Sequence, residues 1–100
     1  MEIVKLKSLF SDSDNLISRY DGLIVRKNIE KILENDNKVV IDFEGFVLIT
    51  QSFGDEIIGV IVRNKGVEFV KNHIGLINTN GQIKDVLNFV VSYSKKMKTA

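Results

Sequence analysis

Apolar and polar positions recur along this chain with two different periods, and the switches between them divide it into strands and helices. Residues 3–6 (Ile-Val-Lys-Leu) put Val4 and Leu6 on one face and predict a first strand. Ser11, Asp12, Ser13, Asp14 and Asn15 follow as loop chemistry, since such side chains compete with the backbone for hydrogen bonds. Ser18 stands where an N-cap belongs, with Asp21 three residues on. From there Val25, Ile29, Ile32 and Leu33 recur at i, i+4, i+7 and i+8, one face of a helix running to about Asn35. Arg26, Lys27, Glu30 and Lys31 fall on the opposite face.

Asn35-Asp36-Asn37 predicts a turn, and residues 38–43 a strand. Val39, Val40 and Ile41 in succession point to cover on both sides, as in central strands of layered α/β sheets. Ser52 is the next cap candidate, with Asp55 at the third position. Phe53, Ile57, Ile58 and Ile61 form the stripe of a second helix that Asn64-Lys65-Gly66 should end. Residues 67–70 alternate as a third strand, and residues 74–77 suggest a further short extended piece. Thr79, Asn80 and Gly81 precede the clearest helical stripe: Ile83, Val86, Leu87, Val90 and Val91. The order β-α-β-α-β-α favours a mixed or parallel sheet with helices packed on it.

Composition narrows the function. One hundred residues make one domain, 1–100, with no repeat or linker to split it. Fourteen Lys and Arg against 13 acids leave a net charge of +1, so no bulk field attracts nucleic acid or an anionic membrane. The absence of Cys removes disulfides and thiolate chemistry, and no signal-peptide pattern opens the chain; the expected compartment is the cytoplasm. No apolar stretch approaches the roughly 20 residues that span a bilayer.

The segment Val39-Val40-Ile41-Asp42-Phe43-Glu44-Gly45-Phe46, followed by Ile49-Thr50-Gln51-Ser52-Phe53 and Asp55-Glu56-Ile57, resembles the STAS-like domains of unknown function. In that group a buried strand ending Asp-Phe-x-Gly runs into a loop and then a Ser-Phe that opens a helix. Arg19, Gly22 and Arg26 upstream, and Ile77, Asn78 and the last helix downstream, are similar as well. More distantly the stretch resembles the anti-sigma factor antagonists, whose corresponding loop carries an Asp-Ser-Ser-Gly motif with one phosphorylated Ser. Here Thr50-Gln51-Ser52-Phe53 replaces it. Gln51 falls on the phosphorylated position and has no hydroxyl; a shift of one residue puts Thr50 or Ser52 there.

The resemblance implies a STAS-like single α/β layer: a mixed four- to five-stranded sheet with helices mainly on one face. It also implies a noncatalytic regulatory role, docking a protein partner such as a serine-kinase-like ATPase of the histidine-kinase superfold. The expected partner-binding residues are Phe46, Val47, Leu48, Gln51, Ser52, Asp55, Glu56, Arg19 and Arg26, with Ser52 and Thr50 as candidate phospho-acceptors. Phe46, Val47, Leu48 and Ile49 form a docking patch if their loop is exposed and core if it folds inward.

Other chemistry is thin. Asp42 and Glu44 share a strand face, but no nucleophile or His accompanies them, and Asp42 is expected to hold the following loop. His73 is the one His, too few for a metal site. Asp12-Ser13-Asp14-Asn15 lacks the Gly and closing Glu of a calcium loop. The scattered Gly form no phosphate cradle, and no cofactor is expected. Lys95, Lys96 and Lys98 complement the dipole at the last helix end rather than mark a nucleic-acid contact. Two rival uses stay open: pairing with a second copy through a strand edge or apolar helix face, and a weakly basic nucleic-acid-associated regulator that binds through the Lys-rich helix ends.

Overall fold

The computed structural model describes residues 1–35 and 37–97. Asp36 of the expected turn and Lys98 of the closing lysine group lie outside the described residues. The chain starts with β1 (Glu2–Lys5), one short turn α1 (Leu6–Leu9) and a two-residue strand β2 (Asn15–Leu16). The long helix α2 (Arg19–Glu34) follows. Ser18 caps it as expected, its hydroxyl accepting from the Asp21 N–H at 3.0 Å. Then come β3 (Val39–Asp42), β4 (Leu48–Ile49) and one continuous helical run: α3 (Gln51–Gly54), a π-helical stretch (Asp55–Gly59) and α4 (Val60–Lys65). Gly66, at φ 94°, ends the run in a backbone region closed to most side chains. The chain closes with α5 (Val67–His73), β5 (Ile74–Ile77) and α6 (Gly81–Met97), whose first turn is capped by Asn80 Oδ1 accepting from the Ile83 N–H.

Two expectations fail. Residues 67–70 are helical, not a strand. Val67, Val70 and Ile74 also fit a helical i, i+3, i+7 spacing, and a four-residue alternation cannot decide between the periods. The expected single mixed sheet is instead two all-parallel ones: three strands in the order β1-β3-β5, and the pair β2-β4. The fold is nonetheless α/β, with small parallel sheets and mostly helix.

That strand order explains the core. Each crossover steps toward the same edge, and right-handed crossovers that always step one way put their helices on one face. Val4, Val39 and Ile41 line that face and are buried with Val25 and Ile29 of α2 and with Phe43, Phe53 and Ile57. The opposite face carries Ile3 and Lys5, both exposed, and half-buried Val40. Phe43, Phe53 and Leu6 are among the largest fully enclosed side chains. Among the described residues no helix is long and apolar enough to cross a membrane.

Candidate functional site

The loop from β3 to α3 is held at both ends. Asp42 Oδ1 accepts from the Glu44 N–H and from Asn78 Nδ2, each at 2.9 Å, fixing the end of β3 as its sequence position suggested. The Asn78 amide, then the Glu44 N–H, hold the Asp42 carboxyl below the usual carboxylate range. Glu44 is exposed, so the two carboxylates do not converge. Further on, the Gln82 side-chain amide pairs with Ile49 like a neighbouring strand: it accepts from the Ile49 N–H at 3.1 Å and donates to its carbonyl at 2.9 Å. Asn80 Nδ2 donates to the Val47 carbonyl.

This framework splits the four apolar loop residues. Phe46 turns inward, 5% exposed, with the Lys7 ammonium 4.6 Å from its ring centre. Ile49 is buried beside it. Val47 and Leu48 face outward, 63% and 38% exposed. Phe46 is therefore core rather than a partner contact, because its ring fills the space under the loop.

Thr50, not Ser52, caps α3. Its Oγ1 accepts from the Phe53 N–H at 3.2 Å and donates to the Ile17 carbonyl at 2.6 Å. With both roles of that hydroxyl in use, Ser52 is the freer of the two candidate acceptors; it and Gln51 stand exposed on the first turn of α3. The Asp at the third position after Ser52 suggested the wrong cap because Asp55 has another task.

Asp55 is the centre of a cross-helix ion network. Its Oδ1 meets Arg63 Nη1 at 2.7 Å and its Oδ2 meets Arg19 Nη1 at 2.8 Å. Arg63 Nη1 also donates to the buried Ser94 hydroxyl of α6 at 2.9 Å. Glu56 receives Arg26 Nη2 at 3.0 Å, and Arg26 reaches Glu30 one turn on. The Arg63 hydrogen bond first, and the Arg19 bond after it, hold the Asp55 carboxyl below its usual range against the opposing effect of burial. The same carboxylate raises the pKa of both guanidinium groups. Gly59 makes the approach of α6 feasible: a Cβ there would run into Asp55 Oδ1 and lie 2.9 Å from Ser94 Oγ. Gly22 does the same for α2, where a Cβ would sit 2.7 Å from Glu56 Cβ.

Of the expected partner-facing charges, Arg26 and Glu56 are thus turned onto each other and withdrawn from solvent, while the Arg19 side chain remains half exposed. Arg19, Asp55, Gln51 and Ser52 line one groove of about 590 Å³, together with Arg63 and with Phe89, Val90, Tyr93 and Met97 of α6. Phe89 and Tyr93 are exposed and stacked, with ring centres 6.2 Å apart. Sequence reasoning missed Arg63 and these α6 residues. Phe89, Tyr93 and Met97 do recur at i, i+4 and i+8 beside the core stripe, and that spacing was the available signal. His73 ends α5 stacked on Phe69 at 4.1 Å, and Lys95 and Lys96 lie exposed in the last turn of α6. Among the described residues no group of three or more His, Cys, Asp or Glu is placed to hold a metal ion.

The model of the family described as STAS-like domain of unknown function (DUF4325) matches residues 21–84. The chain belongs to that family. The match takes in α2 from Asp21 on, β3, the loop, the π-helical stretch and the start of α6. Of the groove it covers Gln51, Ser52, Asp55 and Arg63, while Arg19 and the α6 residues Phe89, Val90, Tyr93 and Met97 lie outside it. No curated protein and no solved structure matches the chain. In this STAS-like domain, then, the segment that carries the family match supplies one side of the groove, and α6 beyond it supplies the aromatic side.

Proposed function

We propose that this STAS-like domain is a noncatalytic regulatory module that binds another protein at the start of α3. The observation that supports it most is the pairing of an exposed apolar loop tip, Val47 and Leu48, with a groove whose walls combine aromatic rings and arginines. Tyr-, Phe- and Arg-rich surfaces are where interface energy concentrates. The Gln82, Asn80 and Thr50 hydrogen bonds hold this surface in place beforehand, which lowers the ordering cost of binding. The ionisable groups of the groove are satisfied by each other, an arrangement suited to recognition rather than acid–base chemistry. The family resemblance suggests a serine-kinase-like ATPase of the histidine-kinase superfold as the partner, working in the cytoplasm.

Val47→Arg and Ser52→Arg change exposed positions and are expected to leave the circular dichroism spectrum unchanged. Each is expected to weaken binding of that ATPase by roughly tenfold or more in calorimetric titration, about 1.4 kcal/mol. Equal affinity of wild type and both variants contradicts the reading.

Ser52 is the hydroxyl a partner kinase would modify, since Thr50 is committed to its cap. Arg19 shares the groove with Ser52, and its half-exposed guanidinium can turn toward a phosphate. Intact mass of the protein made in its own host is expected to show one phosphate, absent from Ser52→Ala. A phosphate that persists in Ser52→Ala places the acceptor elsewhere.

A further inference from the structure

A strand edge exposes unpaired N–H and C=O groups, and natural proteins guard such edges. Among the described residues three of the four strand edges are guarded. On β2 the outward residue is Asn15, since Asp14 and Leu16 both bond toward β4. Its N–H and C=O are both taken by the Ser13 hydroxyl. On β4 the outward groups of Ile49 are taken by Gln82. On β1 the edge is flanked by the charges of Glu2 and Lys5, both exposed.

β5 has no such device. Its sequence Ile74-Gly75-Leu76-Ile77 carries no charge and no proline, and Leu76 and Ile77 are 41% and 40% exposed. The Phe43 N–H donates to the Ile77 carbonyl, so Ile77 turns toward β3 and Leu76, by alternation, turns its N–H and C=O outward. Among the described residues nothing pairs with those two groups. Gly75 leaves the strand barer still. Its φ is not positive and an added Cβ would meet only Val40 Cγ2 at an ordinary 3.5 Å, so no contact within the chain calls for glycine there.

We propose that the β5 edge pairs antiparallel with β5 of a second copy, joining two three-stranded sheets into one of six strands about a twofold axis. A second copy fits better than a foreign strand for two reasons. The Leu76 N–H and C=O are self-complementary: across a twofold axis each N–H meets the other copy's C=O. The strand also has no charge, so self-pairing sets no like charges opposite one another, and it offers none of the charged contacts that would select a foreign sequence. Four residues pair over only about 13 Å, well short of a standard interface, so the dimer is weak and concentration-dependent. The edge uses no residue of the docking surface.

Sedimentation equilibrium from about 10 μM to about 1 mM tests it, a range suited to so small an interface. The wild type is expected to dimerise reversibly, with slowed hydrogen exchange at the Leu76 N–H at high concentration. Leu76→Pro removes only an outward N–H and Leu76→Lys adds a guarding charge. Both are expected to keep the fold by circular dichroism and raise the dissociation constant roughly tenfold or more; if the proline variant misfolds, the lysine variant decides. A wild type that stays monomeric throughout, a dimer unaffected by Leu76→Lys, or a monomer that takes up only foreign extended peptides overturns the proposal.

Discussion

Phe53→Ala is expected to lower stability by about 3–5 kcal/mol, the usual cost of removing a fully enclosed ring from a core. Phe53 has no exposed surface and sits in the first turn of α3, directly after the exposed Gln51 and Ser52. It joins the sheet core to the helix that carries the docking surface. A domain of this size has a total stability of about 5–15 kcal/mol, so the loss leaves little in reserve. The melting temperature should fall by on the order of 20 °C. Val47→Ala, on the exposed loop tip, should change it by no more than about 0.5 kcal/mol. Urea denaturation of the two variants separates the cases. A Phe53→Ala protein as stable as wild type would mean that α3 is not anchored through this ring.

The second large effect concerns Asp55. Asp55→Ala leaves the Arg63 guanidinium with the Ser94 hydroxyl and Arg19 with Glu56 at 3.6 Å. Losing hydrogen bonds to charged groups costs about 1.5–3 kcal/mol. A fully buried pair would cost more, but here both side chains keep some water contact. The same group sets a pH dependence. Its pKa is depressed in the folded state, so the unfolded chain binds the proton first as pH falls. The stabilisation is therefore complete above the ordinary Asp value of about 3.9 and is lost as pH drops through the folded value. Asp42, lowered by Asn78 and the Glu44 N–H, acts in the same direction. Stability should be flat from neutral pH to about pH 5 and fall below about pH 4, with a shallower fall in Asp55→Asn. Thermal unfolding across that range checks it; an unchanged slope in Asp55→Asn would remove Asp55 from the linkage.

How far the sequence announces this arrangement depends on the length of each signal. α2 and α6 run for 16 and 17 residues, and over such lengths a helical stripe is unambiguous, as is the Ser18 cap of α2. The buried strand Val39–Asp42 and the terminating Gly66 were legible for the same local reasons. Residues 67–70 were not, because four positions fit either period. The split into two sheets was hidden because β2 and β4 are two residues each, too short to alternate.

The site was half legible. Gln51, Ser52, Asp55 and Arg19 do meet in one groove. The pairing of Arg19, Arg26 and Arg63 with Asp55 and Glu56 was not readable, because it depends on the π-helical stretch and on the crossing with α2. Inserting one wider turn rotates Arg63 relative to Asp55, and no local propensity signals a π turn. Phe46 and Val47 are adjacent apolar residues with opposite fates; only the turn after Asp42 decides which one faces in.

Hydrogen–deuterium exchange of the domain with and without its bound protein partner tests the docking surface most directly. Protection on binding is expected at residues 47–52 and along 89–97 of α6, with the outer face of the three-stranded sheet unchanged. Protection confined to that sheet face or to α5, with residues 47–52 exchanging as in the free domain, would contradict the account.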